Sequence, residues 1–249
     1  MDRRLVVALA LAAAACETPT APPPLRVSPA ALGEFQSLCL TPLRSEVDDP
    51  PRVARMETML EDGLRARGFT VVSASETGAV LDRIAREEGG LYDVDTGARR
   101  ADFQAVSQRV RERAGAELSC QAMLRARIVF VVAPWVAKAG MFSEGTATWD
   151  GVEVDLGAGR NASGSIGALS LHVRVLDLSE RELYFGAGGI RTTSVLVEDF
   201  VSTKFEPIDP KELLADAARN HVAIDLALKD LRQGPAPAEP SGPPPRAEE

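Results

Sequence analysis

Residue types that could carry covalent or metal chemistry are scarce in this chain, which has two histidines and three cysteines among 249 residues. His172 falls on the polar face of an alternating strand pattern, and His221 lies within a helical pattern. Neither has a partner at the spacing that a metal site needs. Nucleophilic catalysis requires a Ser, Cys or Thr beside a base, and no G-x-S-x-G motif occurs. We therefore expect no catalytic residue, no metal and no cofactor.

The cysteine at position 16 follows a segment that is typical of an export signal. Arg3 and Arg4 precede the run Leu5–Ala15, which is almost wholly Leu, Val and Ala. A basic start, an apolar stretch of about 11 residues and small residues at its end indicate a secretory signal. A membrane-spanning helix would need about 20 residues. We predict that residues 1–15 are a signal peptide.

The sequence Ala13-Ala14-Ala15-Cys16 resembles the lipobox of bacterial lipoproteins. It departs from that motif at Ala13, where Leu is most common. The resemblance implies cleavage before Cys16 and attachment of fatty acyl chains to it, which would anchor the chain in a membrane. Glu17 in place of Asp implies the outer membrane, with the body in the periplasm. The alternative is a secreted protein that happens to have a cysteine at this position.

Composition divides the rest of the chain into a tether, one domain and a tail. Residues 16–33 form a proline-rich tether behind the lipidated cysteine, and residues 233–249 form a proline-rich tail that we predict to be disordered. Residues 34–232 have the length of a single domain. The net charge is −8, and removal of the signal makes it −9, because two arginines and one aspartate leave. An acidic chain without a basic stripe is not expected to bind nucleic acid.

Once Cys16 is acylated, Cys39 and Cys120 remain as an even pair in an oxidising compartment. Such a pair can form a disulfide. The alternative is two buried free thiols that pack as small apolar side chains.

Hydrophobic periodicity predicts the order β-α-β-α-α-β-β-β-α, hence a mixed sheet with helices packed on it and a late antiparallel hairpin. The predicted elements are strands at 35–43, 69–72, 122–133, 169–175 and 182–193, and helices from Pro50 to Gly68, from a Ser75 cap to Gly89, after Asp102, and from Asp209 to Leu231. The strand at 122–133 is continuously apolar, which predicts that both its faces are covered. Residues 134–166, with six glycines, are predicted to be irregular.

This order of elements, on a lipoprotein, resembles the superfamily that contains the amino-terminal domain of TolB and CsgG. The residues that carry the resemblance are the end of the first strand, the Gly-Phe before the second, the helix that runs into an apolar strand, and the late turn: Leu40-Thr41-Pro42, Arg67–Val72, Ala116–Val132 and Leu176–Glu180. The resemblance implies an α/β domain over residues 34–231. Members of this kind act as periplasmic adaptors, and no single residue's role can be transferred from them.

Both tryptophans lie in the segment 135–149 with two other large apolar residues: Trp135, Met141, Phe142 and Trp149. Exposed Trp, Met and Phe are typical of protein-binding patches, so this segment is a candidate interaction loop. The alternative is that these side chains fold under the sheet and cover the core. After the turn at Trp149, Val152, Val154 and Leu156 predict a short edge strand.

These observations favour a non-catalytic outer-membrane lipoprotein whose periplasmic domain binds another envelope protein. The alternative is a small-ligand or lipid-handling auxiliary of an envelope transport or secretion system, which would need an apolar cavity. The expected partners are the membrane, through the lipid, and an envelope protein. The sequence does not specify an oligomeric state.

Overall fold

The computed structural model describes residues 35–93, 96–137, 144–158, 163–198 and 203–231. These residues form the predicted mixed α/β fold, with one sheet of eight strands and a separate two-stranded sheet. The large sheet contains β1 (Ser37–Leu40), β2 (Arg44–Ser45), β3 (Thr70–Val72), β4 (Ala122–Ala137), β5 (Glu144–Trp149), β6 (Val152–Ala158), β7 (Ser163–Asp177) and β8 (Glu182–Thr192), and the small sheet contains β9 (Ser194–Glu198) and β10 (Thr203–Pro207). The helices are α1 (Pro50–Ala66), α2 (Ala74–Glu87), α3 (Phe103–Leu118) and α4 (Ala217–Ala227), with a 3-10 turn at Pro210–Glu212. No helix within these ranges is long and apolar enough to cross a membrane.

Strand β4 is the centre of the sheet. Along one edge it pairs antiparallel with β7, from Ala122 opposite Asp177 to Val136 opposite Ser163. Along the other edge it pairs in turn with β1 and β2, both parallel, and with β5, which is antiparallel. The predicted hairpin is formed by β7 and β8.

The covered face of β4 changes along its length. At its start, alternate side chains up to Ile128 are buried in the core beneath α1 and α4. On the opposite face, Met123 packs with Cys39 and with residues of α2 and α3. Further along, the same face as Met123 is covered by β5 and β6, which bury Ala133 and Trp135. The prediction that both faces of β4 are covered is wrong in two places. On one face Arg125 is half-buried and Arg127 is exposed, and on the other α1 and α4 no longer cover the strand beyond Ile128.

Capping residues set the starts of the first two helices. The Asp49 carboxylate accepts a hydrogen bond from Arg52 N at 3.2 Å, and Pro50 and Pro51 occupy the first turn. Ser73, not the predicted Ser75, caps α2, since its hydroxyl accepts from Glu76 N at 3.2 Å. The prediction of a helix from Pro50 to Gly68 is confirmed within two residues.

The predicted long helix from Asp209 to Leu231 is interrupted. Asp209 accepts a hydrogen bond from Lys211 N and begins only the short 3-10 turn. Asp216 then accepts from Ala218 N and Arg219 N, so α4 begins there. Two caps seven residues apart compete with a continuous helix, because each holds its own backbone outside the helical region.

Helix α4 packs against the backbone of β8 through two glycines. A Cβ at Gly186 would lie 2.0 Å from Ala227 O, and one at Gly188 would lie 1.9 Å from Ala223 O. The Ala223 carbonyl lies within the helix, and the Ala227 carbonyl at its end accepts a hydrogen bond from the Tyr184 hydroxyl at 2.6 Å, so only glycine fits beside either. These glycines lie opposite Val173 and Leu171 of β7, on the face that the main core occupies.

The sulfurs of Cys39 and Cys120 are bonded in the structure. Cys39 is in β1, and Cys120 follows α3, just before β4. Their Cα atoms are 5.7 Å apart and 81 residues apart in the chain. Both side chains are buried in the cluster beneath α2 and α3. The bond fixes the first strand to the entry of the central strand.

Replacing Gly188 by Ala is expected to lower the free energy of unfolding by about 3 kcal/mol, because the new methyl group overlaps the Ala223 carbonyl. Urea denaturation would measure this. Ala187→Ser is the matched control, since it enlarges a side chain on the opposite face of the same strand. Equal unfolding midpoints for the two variants would contradict the close packing of α4 on β8.

Replacing Cys39 and Cys120 together by Ser is expected to cost about 2–4 kcal/mol, because the unfolded chain then loses the constraint of a closed loop. Denaturation of the oxidised wild type and the double variant gives the difference, and mass spectrometry of the folded protein gives the thiol count. Two free thiols in the wild type under oxidising conditions would overturn the assignment.

Candidate functional site

The segment predicted to be irregular is mostly strand. Strands β5 and β6 form a hairpin, with Trp149 opposite Val152. The turn between them is Asp150-Gly151, and both residues have positive φ, 40° and 80°. Asp-Gly favours this two-residue turn. The predicted edge strand is confirmed as β6, and the prediction of an irregular 134–166 is wrong for the described residues of that range.

Trp135 and Trp149 are buried strand residues and not parts of an exposed loop. They pack with Ala147, Leu156 and Ile166 in a small cluster. The Trp135 ring also meets Phe205 of β10 edge-on, with centroids 5.9 Å apart. The structure therefore shows the alternative for these two tryptophans, in which they fold inward and cover the core.

Three of the predicted site residues lie outside the described residues. They are the lipidation site Cys16 and the loop residues Met141 and Phe142. His221 is exposed on α4.

The turn after Trp149 joins the hairpin to β7 and β8. Trp149 Nε1 donates to Leu169 O at 3.0 Å, and Gly189 N donates to Asp150 O at 3.1 Å. The carboxylate of Asp150 accepts a hydrogen bond from the Ser170 hydroxyl and lies 3.5 Å from His172 Nε2. Sequence reasoning missed this cluster, because its members come from two different hairpins.

His172 and Ser170 lower the pKa of Asp150. The imidazole of His172 is the largest cause, burial opposes it, and the Ser170 hydroxyl adds to the lowering. The ionised carboxylate therefore stabilises the folded state.

The cluster does not have the geometry of a nucleophilic triad. In a triad the imidazole lies between the hydroxyl and the carboxylate and accepts the hydroxyl proton. Here the carboxylate of Asp150 lies between Ser170 and His172. The Ser170 side chain is also completely buried, with its oxygen 3.2 Å from Gly188 O. This arrangement fastens the turn to the sheet and does not activate Ser170.

A second feature is the apolar face of β4 beyond Ile128. Phe130, Val132 and Val136 alternate along the strand, so they share one face. Their exposed fractions are 50%, 73% and 61%. A run of three large exposed apolar side chains on one strand is typical of an interaction surface. We call these three residues the β4 apolar face.

The backbone beside the β4 apolar face is also unpaired along one edge. Pairing with β2 ends at Ile128, and pairing with β5 starts at Trp135. Between them, no described strand pairs with residues 129–134 on the edge opposite β7. Phe130 N donates to the Glu46 side chain at 2.9 Å, which shows that even-numbered residues present their polar groups here. Pro134 falls in this stretch, where a missing N–H breaks no ladder bond.

Two depressions of the described surface are open grooves. One, of about 320 Å³, lies around residues 45–53, from the end of β2 to the start of α1. The other, of about 300 Å³, lies between β6 and α4 and is lined by Val152, Val154, Ile190 and Val222, among others. A ligand bound in either groove would remain exposed to solvent on one side.

The structure has distant likenesses among solved structures. PelC from Paraburkholderia phytofirmans, solved as a dodecamer, matches 82% of this chain and 91% of its own with 12% identity and a TM-score of 0.35. The lipoprotein GNA1162 from Neisseria meningitidis matches 72% of this chain and 90% of its own with 16% identity and a TM-score of 0.31. No protein-family model and no curated protein sequence matches the chain.

Replacing Asp150 by Asn is expected to lower the free energy of unfolding at pH 7 by about 1–2 kcal/mol, because a charge-assisted bond is lost. Since the folded-state pKa of Asp150 is lowered, its contribution is present above the ordinary pKa of about 4 and disappears as the pH falls through the lowered value. The difference in free energy of unfolding between wild type and variant should therefore vanish as the pH falls from about 5 to about 2.

Chemical denaturation across this range measures the difference, with Asp155→Asn as control. Asp155 is an exposed carboxylate on the same hairpin, 3.4 Å from Thr146 Oγ1. A difference for Asp150→Asn that stays constant with pH would show that its carboxylate is not stabilising the fold.

Proposed function

We propose that this chain is an outer-membrane lipoprotein whose periplasmic domain binds another envelope protein without catalysis. The single observation that supports binding is the β4 apolar face beside an unpaired strand edge. The signal and lipobox residues up to Cys16 support the anchor, and Glu17 supports the outer membrane.

The chemistry of the surface specifies the kind of segment that it would bind. The unpaired stretch of six residues is roughly 20 Å long at strand geometry. An extended segment of about this length could pair with the free backbone groups of this edge, which include Val132 N but not Phe130 N, since Glu46 accepts its hydrogen bond. Its apolar side chains at alternate positions would cover Phe130 and Val132. Main-chain pairing would supply affinity, and the side chains would supply specificity.

The tether is suited to such a role. A proline-rich segment extends about 3.1 Å per residue, so residues 17–30 could hold the domain about 40 Å from the bilayer. Attachment to the membrane raises the local concentration of the domain near other envelope proteins.

The alternative, a ligand- or lipid-handling auxiliary, would use the groove between β6 and α4. Its apolar lining is the observation in favour. Because that groove is open, bound apolar ligand would remain partly in water, which limits affinity.

The test is photocrosslinking of the full-length lipidated protein in its native envelope, with a photoreactive residue at Val132. The matched control position is Val222, which is also exposed and apolar but lies on α4. We expect one dominant protein adduct from position 132 and none of that protein from position 222.

The adduct must also depend on the surface chemistry. Val132→Asp should abolish co-purification of the captured protein by disrupting the apolar face, whereas Val222→Asp should not. Both residues are exposed, so both variants should unfold at the wild-type midpoint. No protein adduct at position 132, or equal capture at both positions, would rule out the β4 apolar face as the binding surface.

A further inference from the structure

Four arginines and a histidine lie together on the face of the sheet opposite the β4 apolar face. Arg44 of β2 is paired with Arg127 of β4, which in turn is opposite His172 of β7. Two residues earlier along β4, Arg125 is opposite Arg174 of β7. Residues opposite each other on neighbouring strands share a face. We call these five residues the arginine array.

The array is unusual because like charges at cross-strand positions destabilise a sheet. Arg125 is neutralised by Glu180 at 3.1 Å, and Arg174 lies 3.5 Å from Glu182. Arg44 and Arg127 form no ion pair with any residue in the described ranges. An acidic protein, with net charge −8, therefore has two neighbouring uncompensated guanidinium groups.

Two acidic residues adjoining the array make other contacts. Glu46, two residues beyond Arg44, accepts the hydrogen bond from Phe130 N. Asp150 accepts from Ser170 and faces His172. Neither forms an ion pair with Arg44 or Arg127 within the described residues, so these two guanidiniums have no counterion there.

A buried arginine beside the array adds a further excess of positive charge. Arg111 of α3 is only 5% exposed, and its NH1 lies 2.8 Å from the same Glu180 oxygen that Arg125 contacts. One carboxylate thus serves two guanidiniums. Arg111 Nε has no hydrogen-bond partner among the described residues. Burial lowers the pKa of Arg111, and the charge of Arg125 lowers it further while Glu180 opposes both.

The array occupies the strip of sheet that neither neighbouring layer covers. On one side, Met123 is buried beneath α2 and α3, and on the other, Ala133 is buried by β5 and β6. Phe185 of β8 lies opposite Arg174, with the guanidinium 5.5 Å from the ring centroid. The ring restricts the orientation of Arg174 at one end of the strip.

We propose that the arginine array binds a phosphate monoester, with Arg44 and Arg127 as its principal ligands. Guanidinium groups bind phosphate oxygens through two parallel N–H donors. A phosphate monoester carries close to two negative charges, which matches two uncompensated arginines. The same chemistry is offered by the headgroup of phosphatidic acid and by a soluble phosphate monoester. The proposal does not depend on protein binding at the β4 apolar face.

The test is calorimetric titration of the full chain with three probes: inorganic phosphate, glycerol 3-phosphate and short-chain dihexanoyl phosphatidic acid. Dihexanoyl phosphatidylcholine, which lacks a monoester, is the negative control. The variant is Arg44→Gln with Arg127→Gln. The matched control is Arg55→Gln with Arg86→Gln, which makes the same charge change on helices α1 and α2.

The array variant should bind phosphate monoesters at least about tenfold more weakly than wild type, because two charge-assisted contacts are lost. The control variant should stay within about twofold, since neither of its arginines is in the array. Removing like charges should leave the unfolding midpoint of the array variant unchanged or higher, so weaker binding would not reflect unfolding.

Tighter binding of phosphatidic acid than of glycerol 3-phosphate would support the site with a lipid headgroup as its ligand. Equal binding would support it with a soluble ester. Failure of the wild type to bind any of the three monoester or phosphate probes, or equal affinities for wild type and array variant, would overturn the proposal.

Discussion

The antiparallel ladder between β4 and β7 is the interaction on which the other elements depend. It extends over nearly the whole of both strands, from Ala122 opposite Asp177 to Val136 opposite Ser163. The covering layers pack on this ladder. Helices cover both faces at one end of it, and the β5–β6 hairpin covers one face at the opposite end. Because the covering layers are shorter than the ladder, parts of both faces are left open. The β4 apolar face and the arginine array are these two open parts.

Much of the architecture follows from local patterns in the sequence. The caps and prolines at Asp49 and Pro50 define α1, and strict alternation from Leu169 to Val175 defines β7. Such features are readable because each depends on residues close together in the chain. The mixed sheet then follows from the order of the elements.

The prediction of an irregular backbone over 134–166 failed for a physical reason. Glycine normally indicates irregular backbone, but Gly145 and Gly164 lie in strands beside the Trp135 ring, where a Cβ would come within 3.3 Å and 2.8 Å of the indole. They make room for the tryptophan ring. Likewise, the contact of Asp150 with His172 joins residues of two hairpins, and only the docking of the turn brings them together. A single sequence holds no signal for that docking beyond the Asp-Gly turn itself.

Pro134 also restricts how the open edge of β4 can associate with itself. If two copies met antiparallel about Val132, Phe130 of each would lie opposite Pro134 of the other. Each Phe130 carbonyl would then face a nitrogen without a hydrogen, so the pairing would lose one ladder bond at each end. The edge is thus a poor template for growth of an intermolecular sheet, although it remains open to a segment of different sequence. Pro134 thereby disfavours aggregation of the protein with its own copies through this edge.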